Sequence, residues 1–460
     1  MKTNSLDFDA QALREKILDL AMRGKLVKQD PNDEPASVLL EKIKAEKAKL
    51  VKEGKIKKNK PLPEITADEK PFDIPDSWEW VRLGDIFSIN DRNKATDDMI
   101  VGFLPMKNIK DGYENSFTIE EKSWGKVRKG YTHIQVGDIA LSKITPCFQN
   151  RKSCIITDLP NNIGAATTEI YALYPLIRTF SSLYIYFLKS KMFIEEGTKN
   201  FTGNVGQQRV PKKFVENFVI PLPPLSEQSR IAAKIAQLFA LLRKVESSTQ
   251  QYAKLQTLLK SKVLDLAMRG KLVEQDPNDE PASVLLEKEG LKESNEIPHQ
   301  IPNSWSWIVL GSGAKFINGR AYKKSELLND SSLTPILRVG NLFTNSSYYY
   351  SDLKLNPDKY IDNGDLIYAW SASFGPQIWT GGHVIYHYHI WKVIPKQIIE
   401  KQFLYYFLLD KRNVIGETDL HGSTMKHITK TNMEHLSFPL PPLSEQKRIV
   451  KKINFLLEIL

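Results

Sequence analysis

Ile231, Ile235, Leu238, Leu242, Val245, Thr249, Tyr252, Gln256, Leu259, Val263 and Leu266 follow one another at alternating four- and three-residue steps, apolar except at Thr249 and Gln256. That spacing predicts a heptad seam along one helix of roughly 54 Å at 1.5 Å per residue. The prolines of "PLPPLSEQ" hold the entry extended, Ser226 is the predicted N-cap, and Glu227 falls in the first turn, where the helix dipole favours negative charge. Gly270 is the predicted stop. Pieces of the same seam stand at the two ends of the chain, as Leu6, Ala10, Leu13, Ile17 and Leu20 and as Ile449, Ile453, Leu456 and Leu460.

Between these helical stretches the pattern changes. From about Phe72 to Ile220, and from about Ile297 to Phe438, short aromatic and β-branched runs alternate with Gly and Asn, as in "GDIALSKITPCFQN" and "NGDLIYAWSASFGPQIW". They predict strands and turns, with short helices at "SSLYIYFLKSKMF" and "KQFLYYFLLDKRN".

Three segments occur twice. "LDLAMRGKLVKQDPNDEPASVLLEK" from Leu18 recurs from Leu264 with Glu274 in place of Lys28 as the one change. "IPDSWEWVRLG" from Ile74 matches "IPNSWSWIVLG" from Ile301, and "PLPPLSEQSRIAAKI" from Pro221 matches "PLPPLSEQKRIVKKI" from Pro439. The order is circularly permuted: the middle of the chain carries a whole helical unit, and the two ends together rebuild a second one, lacking only counterparts of Arg243 to Glu246. The pattern predicts two halves related by a pseudo-twofold axis, with the split helix antiparallel to the central one and Met1 within about 15 Å of Leu460. Five regions result: 1–71 helical, 72–220 mixed α/β, 221–296 central helical, 297–438 mixed α/β, and 439–460 helical.

Composition narrows the class. Hydrophobic residues make up 41% and charged residues 26% of 460, no apolar run could span a bilayer, and the N-terminus lacks the apolar core of a signal peptide. Cys147 and Cys154 are the only cysteines, which suits a reducing cytoplasm and excludes a four-thiolate zinc site. A net charge of +10 favours an anionic partner, although the lysine-rich stretch from Lys42 to Lys60 reads as a solvated helix end and linker.

The motifs of phosphate-loop, dinucleotide and metalloprotease chemistry are absent, as are the signatures of DNA methyltransferases. His383, His387 and His389 lie close together in "GGHVIYHYH" but read as structural, since no carboxylate is identified to complete a metal site. Side chains able to read bases or hold phosphates are more abundant. Lys107 and Asn108, and Arg338 and Asn341, follow the start of each mixed region. Lys143 and Thr145, and Trp370 and Ser371, lie in the loops after each "GD" pair. Gln207, Gln208 and Arg209, and Ser423, Lys426 and His427, precede each "PLPPLSEQ".

"PLPPLSEQ" opening a long helix twice, with "LDLAMRGKLV" and two divergent regions beginning "IPxSWxW", resembles the specificity subunit of Type I restriction-modification systems over essentially the whole chain. The resemblance implies an α+β protein: two mixed α/β target-recognition domains separated by two long antiparallel conserved helices, each domain reading one part of a bipartite double-stranded DNA site. It implies a non-catalytic subunit without a metal or cofactor of its own. Two methylation subunits would use S-adenosylmethionine, and two restriction subunits would use ATP and Mg. Arg23, Lys25 and Leu26, and Arg269, Lys271 and Leu272, in the repeated helix ends are the expected docking surfaces for the two methylation subunits. The alternatives are a self-contained DNA methyltransferase or nuclease, and a coiled-coil adaptor.

Overall fold

Each "IPxSWxW" segment becomes a short strand, and each "PLPP" segment pairs with it. In the computed structural model β1 (Glu79–Arg82) runs antiparallel to β10 (Val219–Leu222) with Trp80 opposite Pro221, and β11 (Ser306–Val309) runs antiparallel to β20 (Ser437–Leu440) with Trp307 opposite Pro439. The prolines are tolerated because each strand has a single partner. The structure describes residues 8–58, 60–204, 206–343, 347–371, 373–410, 413–414 and 428–460, apart from the side chain of residue 373. It divides into two compact units, Met1–Ser248 and Thr249–Leu460, and the boundary falls inside the long helix Leu225–Met268.

In the first unit the strands are β2 (Phe87–Ile89), β3 (Ile100–Leu104), β4 (Glu120–Ser123), β5 (Thr132–Gln135), β6 (Ile139–Ser142), β7 (Ser153–Ile155), β8 (Ile163–Ala166) and β9 (Ile170–Pro175). They form two four-stranded sheets, ordered β2-β9-β6-β7 and β4-β3-β8-β5. The second unit has β12 (Ala314–Asn318), β13 (Thr334–Leu337), β14 (Tyr349–Ser351), β15 (Tyr360–Ile361), β16 (Leu366–Ser371), β17 (Ser373–Ile378), β18 (Val384–Tyr386) and β19 (Ile390–Pro395). Its sheets run β12-β19-β16-β17 and β14-β13-β18-β15, the same order strand for strand. The one parallel pairing also recurs, as β3 with β8 and β13 with β18. The predicted helices form at Phe180–Phe187, Lys191–Lys199 and Lys401–Leu409.

The long helix differs from the expected seam. It begins at Leu225, so Ser226 lies inside the first turn instead of capping it, and the Ser226 hydroxyl donates to Asp33 Oδ1 at 2.5 Å. Its buried apolar positions are Ile231, Ala232, Ile235 and Phe239 at one end and Leu264, Ala267 and Met268 at the other, whereas Val245, Tyr252 and Leu259 are exposed. Phe239 replaces Leu238 as the buried residue because it meets an aromatic cluster, its ring centroid 5.5 Å from Tyr113 and 5.6 Å from Tyr186. A helix packed on the core of a unit follows the 3.6-residue period of an amphipathic face, not the 3.5-residue period of a coiled coil.

The helix Ala10–Met22 runs antiparallel to the first part of the long helix, with Arg14 paired to Glu246 at 2.5 Å. Its buried side is Ala10, Leu18, Ala21 and Met22, so Ala10 of the expected seam is buried while Leu13 is 43% exposed. In the second unit Leu443–Ile459 is antiparallel to the last part of the long helix, burying Ile449 and Ile453 and reaching Gln256 from the Leu460 carbonyl. The expected approach of Met1 to Leu460 lies outside the described residues, which begin at Phe8. The lysine-rich stretch is helical from Lys42 to the end of the helix Ala36–Lys52 and irregular from there to Lys58, with Lys44 paired to Glu41 and Lys49 to Glu46 on the solvated side.

The three repeated segments are one another's partners. In the first unit the buried Glu227 carboxylate accepts Trp78 Nε1 at 2.8 Å and Gln29 Nε2 at 2.6 Å, and Arg230 pairs with Asp33 at 2.5 Å. In the second, Glu445 accepts Trp305 Nε1 at 2.9 Å and Gln275 Nε2 at 2.5 Å, and Arg448 pairs with Asp279 at 2.6 Å. Burial raises the pKa of both Glu227 and Glu445, opposed by the hydrogen bonds from Trp and Gln. Gly24 and Gly270, each at φ +65°, end the helices beneath these knots, where an added Cβ would lie 2.4 Å from Pro75 Cγ and 2.3 Å from Pro302 Cγ. The one change within the long repeat, Lys28 against Glu274, falls at an exposed position in both units.

Candidate nucleic-acid interface

A sheet end gathers most of the candidate side chains of the first unit. After β6 the backbone of Lys143 to Thr145 pairs with the loop before "PLPPLSEQ": Thr145 N donates to Gln208 O at 3.0 Å and Val210 N to Lys143 O at 2.9 Å. This brings Lys143, Thr145, Gln208 and Arg209 together, with Gln207 exposed beside them. The turn between β8 and β9, Thr167-Thr168-Glu169, closes against them. Lys143 N donates to Glu169 O at 3.0 Å, and Arg209 grips the Glu169 carboxylate through Nε and Nη2, both at 2.8 Å. The Arg209 guanidinium holds the Glu169 carboxyl below its usual range, while burial lowers the pKa of Lys143, whose Nζ lies 4.9 Å from the Tyr171 ring centre. Lys107 and Asn108 follow β3 in a single helical turn; Lys107 is exposed, and the Asn108 amide donates to Thr118 O at 3.1 Å.

The corresponding end of the second unit is aromatic. The turn between β18 and β19 is His387-Tyr388-His389, in the same hydrogen-bonded frame. His387 N donates to Leu337 O as Thr167 N donates to Leu104 O, and Trp370 N donates to His389 O as Lys143 N donates to Glu169 O. Trp370 is therefore the counterpart of Lys143. Its Nε1 donates to Tyr388 O at 2.9 Å, and its ring meets that of His389 edge-on at 5.0 Å. Arg338 lies over Tyr349 at 4.5 Å and donates to Ser347 O at 3.0 Å. Asn341 is 9% exposed and its amide serves Arg338 N and Ser347 O, and Ser371 is also buried. Burial, with His389 and Arg338 close by, pushes the pKa of His387 down to about 4. Ser423, Lys426 and His427 lie outside the described residues.

His383 stacks on Tyr360 at 4.7 Å and pairs with Asp362 at 2.6 Å, away from the turn that holds the other two histidines. Among the described residues no group of three or more His, Cys, Asp or Glu side chains could hold a metal ion, and no helix is long and apolar enough to cross a membrane. Cys147 and Cys154 are free, and burial pushes the Cys154 thiol up to about 12.

At the expected docking ends Lys25 and Lys271 are exposed, while Leu26 and Leu272 pack on the cores of their units. Arg23 and Arg269 bond the preceding turn at Asp19 and Asp265, both at 2.7 Å, and Arg23 also covers Phe72.

Residues 75–256 and 302–458 each match the Type I restriction modification DNA specificity domain. The chain belongs to the family of Type I restriction-modification specificity subunits. The EcoAI specificity subunit of Escherichia coli is 37% identical, the alignment taking in 98% of this chain and 89% of that one. The EcoEI specificity subunit of Escherichia coli is 41% identical over 66% of this chain and 62% of its own. Two solved chains share the fold: the HsdS subunit from Thermoanaerobacter tengcongensis, with a TM-score of 0.55 and 19% identity, and a chain from a study of complex assembly and conformational transition of the type I R-M system, with 0.60 and 21%. They cover 84% of this specificity subunit, and this subunit covers 91% and 92% of them respectively.

Sequence reasoning passed over Thr167 to Glu169 of this specificity subunit and read His387 and His389 only as structural, so neither turn was matched to the other. The signal was their place immediately before equivalent strands, "TTEIYALYP" and "HYHIWKVIP", but the compositions are so unlike that only the shared backbone hydrogen bonds reveal the correspondence.

Proposed function

We propose that this chain selects the duplex DNA sequence on which a Type I restriction-modification complex acts, each unit reading one part of a bipartite site. The observation that carries the reading is a common frame with different tips. The two units share strand order and the hydrogen bonds of their turns, yet Lys143 faces Glu169 in one where Trp370 faces His389 in the other. A scaffold that holds the backbone and varies the side chains suits two unlike half-sequences, since base edges are read by side chains and phosphates mainly set register. Catalysis on this reading belongs to two methylation subunits, which use S-adenosylmethionine, and two restriction subunits, which use ATP and Mg. This chain needs no cofactor, and the complex works in the cytoplasm. Lys25 and Lys271, with Arg23, Leu26, Arg269 and Leu272 beside them, present two matched helix ends to the methylation subunits.

Single-molecule sequencing of methylated adenines in DNA from cells expressing the chain with its partner subunits tests the reading. One bipartite motif with an unread gap is expected, and methylation without a motif would refute it.

Arg338→Ala is expected to weaken DNA binding by about 1–3 kcal/mol if the guanidinium reads a base. Titrations against cognate and scrambled duplexes measure it. Loss confined to the cognate sequence assigns a base contact, equal loss on both assigns a phosphate contact, and no loss leaves Arg338 to its internal bond with Ser347.

A further inference from the structure

We infer that the middle residue of each turn, Thr168 in the first unit and Tyr388 in the second, determines which base is accepted at one position of its half-site. The inference rests on the DNA-reading function proposed above and adds two residues to it.

Both turns join the two four-stranded sheets of their unit, β8 to β9 and β18 to β19, beside Lys143 and Arg209 in the first and beside Trp370 and Arg338 in the second. Their flanks are fixed. In the first unit Glu169 is clamped by Arg209 and by the backbone of Lys143. In the second, Tyr388 N donates to Arg320 O at 3.1 Å, and the Tyr388 carbonyl accepts Trp370 Nε1. The middle side chains stand out from this frame: Thr168 is exposed, and Tyr388, though a large aromatic, is 38% exposed.

Rigidity with exposure is the combination a base reader needs. A side chain carried on a fixed backbone loses little conformational freedom on binding, so the difference between right and wrong bases is kept instead of being absorbed by local movement. The chemistry fits base edges in a groove. Threonine offers a hydroxyl that donates or accepts and a methyl that can meet the thymine methyl. Tyrosine adds a flat ring, and the rings of His387 at 4.4 Å, His389 at 3.9 Å and Trp370 at 6.1 Å limit its directions. Arg320 and Arg338 flank the second turn, and each carries a buried guanidinium N–H without a partner among the described residues. Arg320 is paired with Glu326 at 2.6 Å, so the positive charge beside Tyr388 is that of Arg338, whose sign suits an approach to DNA.

The test uses the full chain assembled with its partner subunits and a randomised duplex library, comparing the parent with Tyr388→Thr, Tyr388→Phe and Thr168→Tyr. Each Tyr–Thr exchange is expected to change base preference at one or two adjacent positions of one half-site by roughly ten-fold, leaving the other half-site unaltered. Tyr388→Phe separates the hydroxyl from the ring: a changed motif assigns the reading to the hydroxyl, a retained one to the ring. Unchanged motifs in both exchanges, or a uniform loss of affinity over all sequences with thermal stability intact, would overturn the inference. A parent complex that enriches no motif at all would instead overturn the DNA-reading function on which it rests.

Discussion

Trp78→Ala is expected to cost the first unit about 3–5 kcal/mol, the range for truncating a buried tryptophan, and Trp305→Ala to do the same in the second. Trp78 and Trp305 are 3% and 5% exposed, and each donates its indole N–H to a buried glutamate, so truncation opens a cavity and also removes one of two donors from a carboxylate that burial already disfavours. Loss of this size approaches the whole stability of many domains. Hydrogen exchange locates it: with Trp78→Ala, protection should fall across Ala10–Met22 and Ala36–Lys52 while the sheets of the second unit keep theirs. Equal loss in both units would mean that the knots are not local. Gln29→Ala, which removes the other donor from a more exposed position, should cost less.

The knots also show what could be learned without coordinates. All three repeats were legible, and so was the stop at Gly270, because each depends on residues adjacent in sequence. That Glu227 would bond both Trp78 and Gln29 was not legible, since the three segments are far apart in the chain and their side chains are common in surface loops. Repetition of a segment suits two equal docking partners, with homogenisation by recombination as the alternative. The structure supplies a second, intramolecular reason: a change at Gln29 would take one of two donors from Glu227, and a change at Asp33 would take the paired carboxylate from Arg230, within the same unit.

The long helix was legible, but neither the period nor the register of its buried face was. Leu238 and Phe239 are neighbours in an apolar run, and the choice between them was made by Tyr113 and Tyr186, residues remote in sequence. For the reading loops, chain position indicated which segments meet, as Thr145 and Gln208 do, but not how their side chains are used. Arg209 is a case in point: it has the chemistry of a guanine reader, yet Nε and Nη2 hold Glu169 and Nη1 donates to Gln207 O at 2.8 Å. Asn341 likewise matched the adenine-reading residue type and is buried in its own loop.

Replacing residues 72 to 220 by the matching domain of a relative is expected to rewrite one half of the recognised sequence completely and leave the other half and the gap as they were. The junctions favour success. The exchange enters just before β1 and leaves inside β10, and the register of that pair, Trp80 opposite Pro221, is set by motifs that occur in both halves of this chain. The knot is rebuilt if the incoming domain supplies a tryptophan at the place of Trp78, because Glu227, Gln29, Asp33 and Arg230 all lie outside the exchanged stretch. Each mismatched base pair costs about 1–3 kcal/mol, so a change over several base pairs amounts to a loss of several orders of magnitude on the old sequence and a comparable gain on the new one. Mapping methylated adenines in cells carrying the parent or the hybrid measures it. If exchanging one domain altered both halves of the motif, the two units would not be reading independently, and the modular account of this fold would fail.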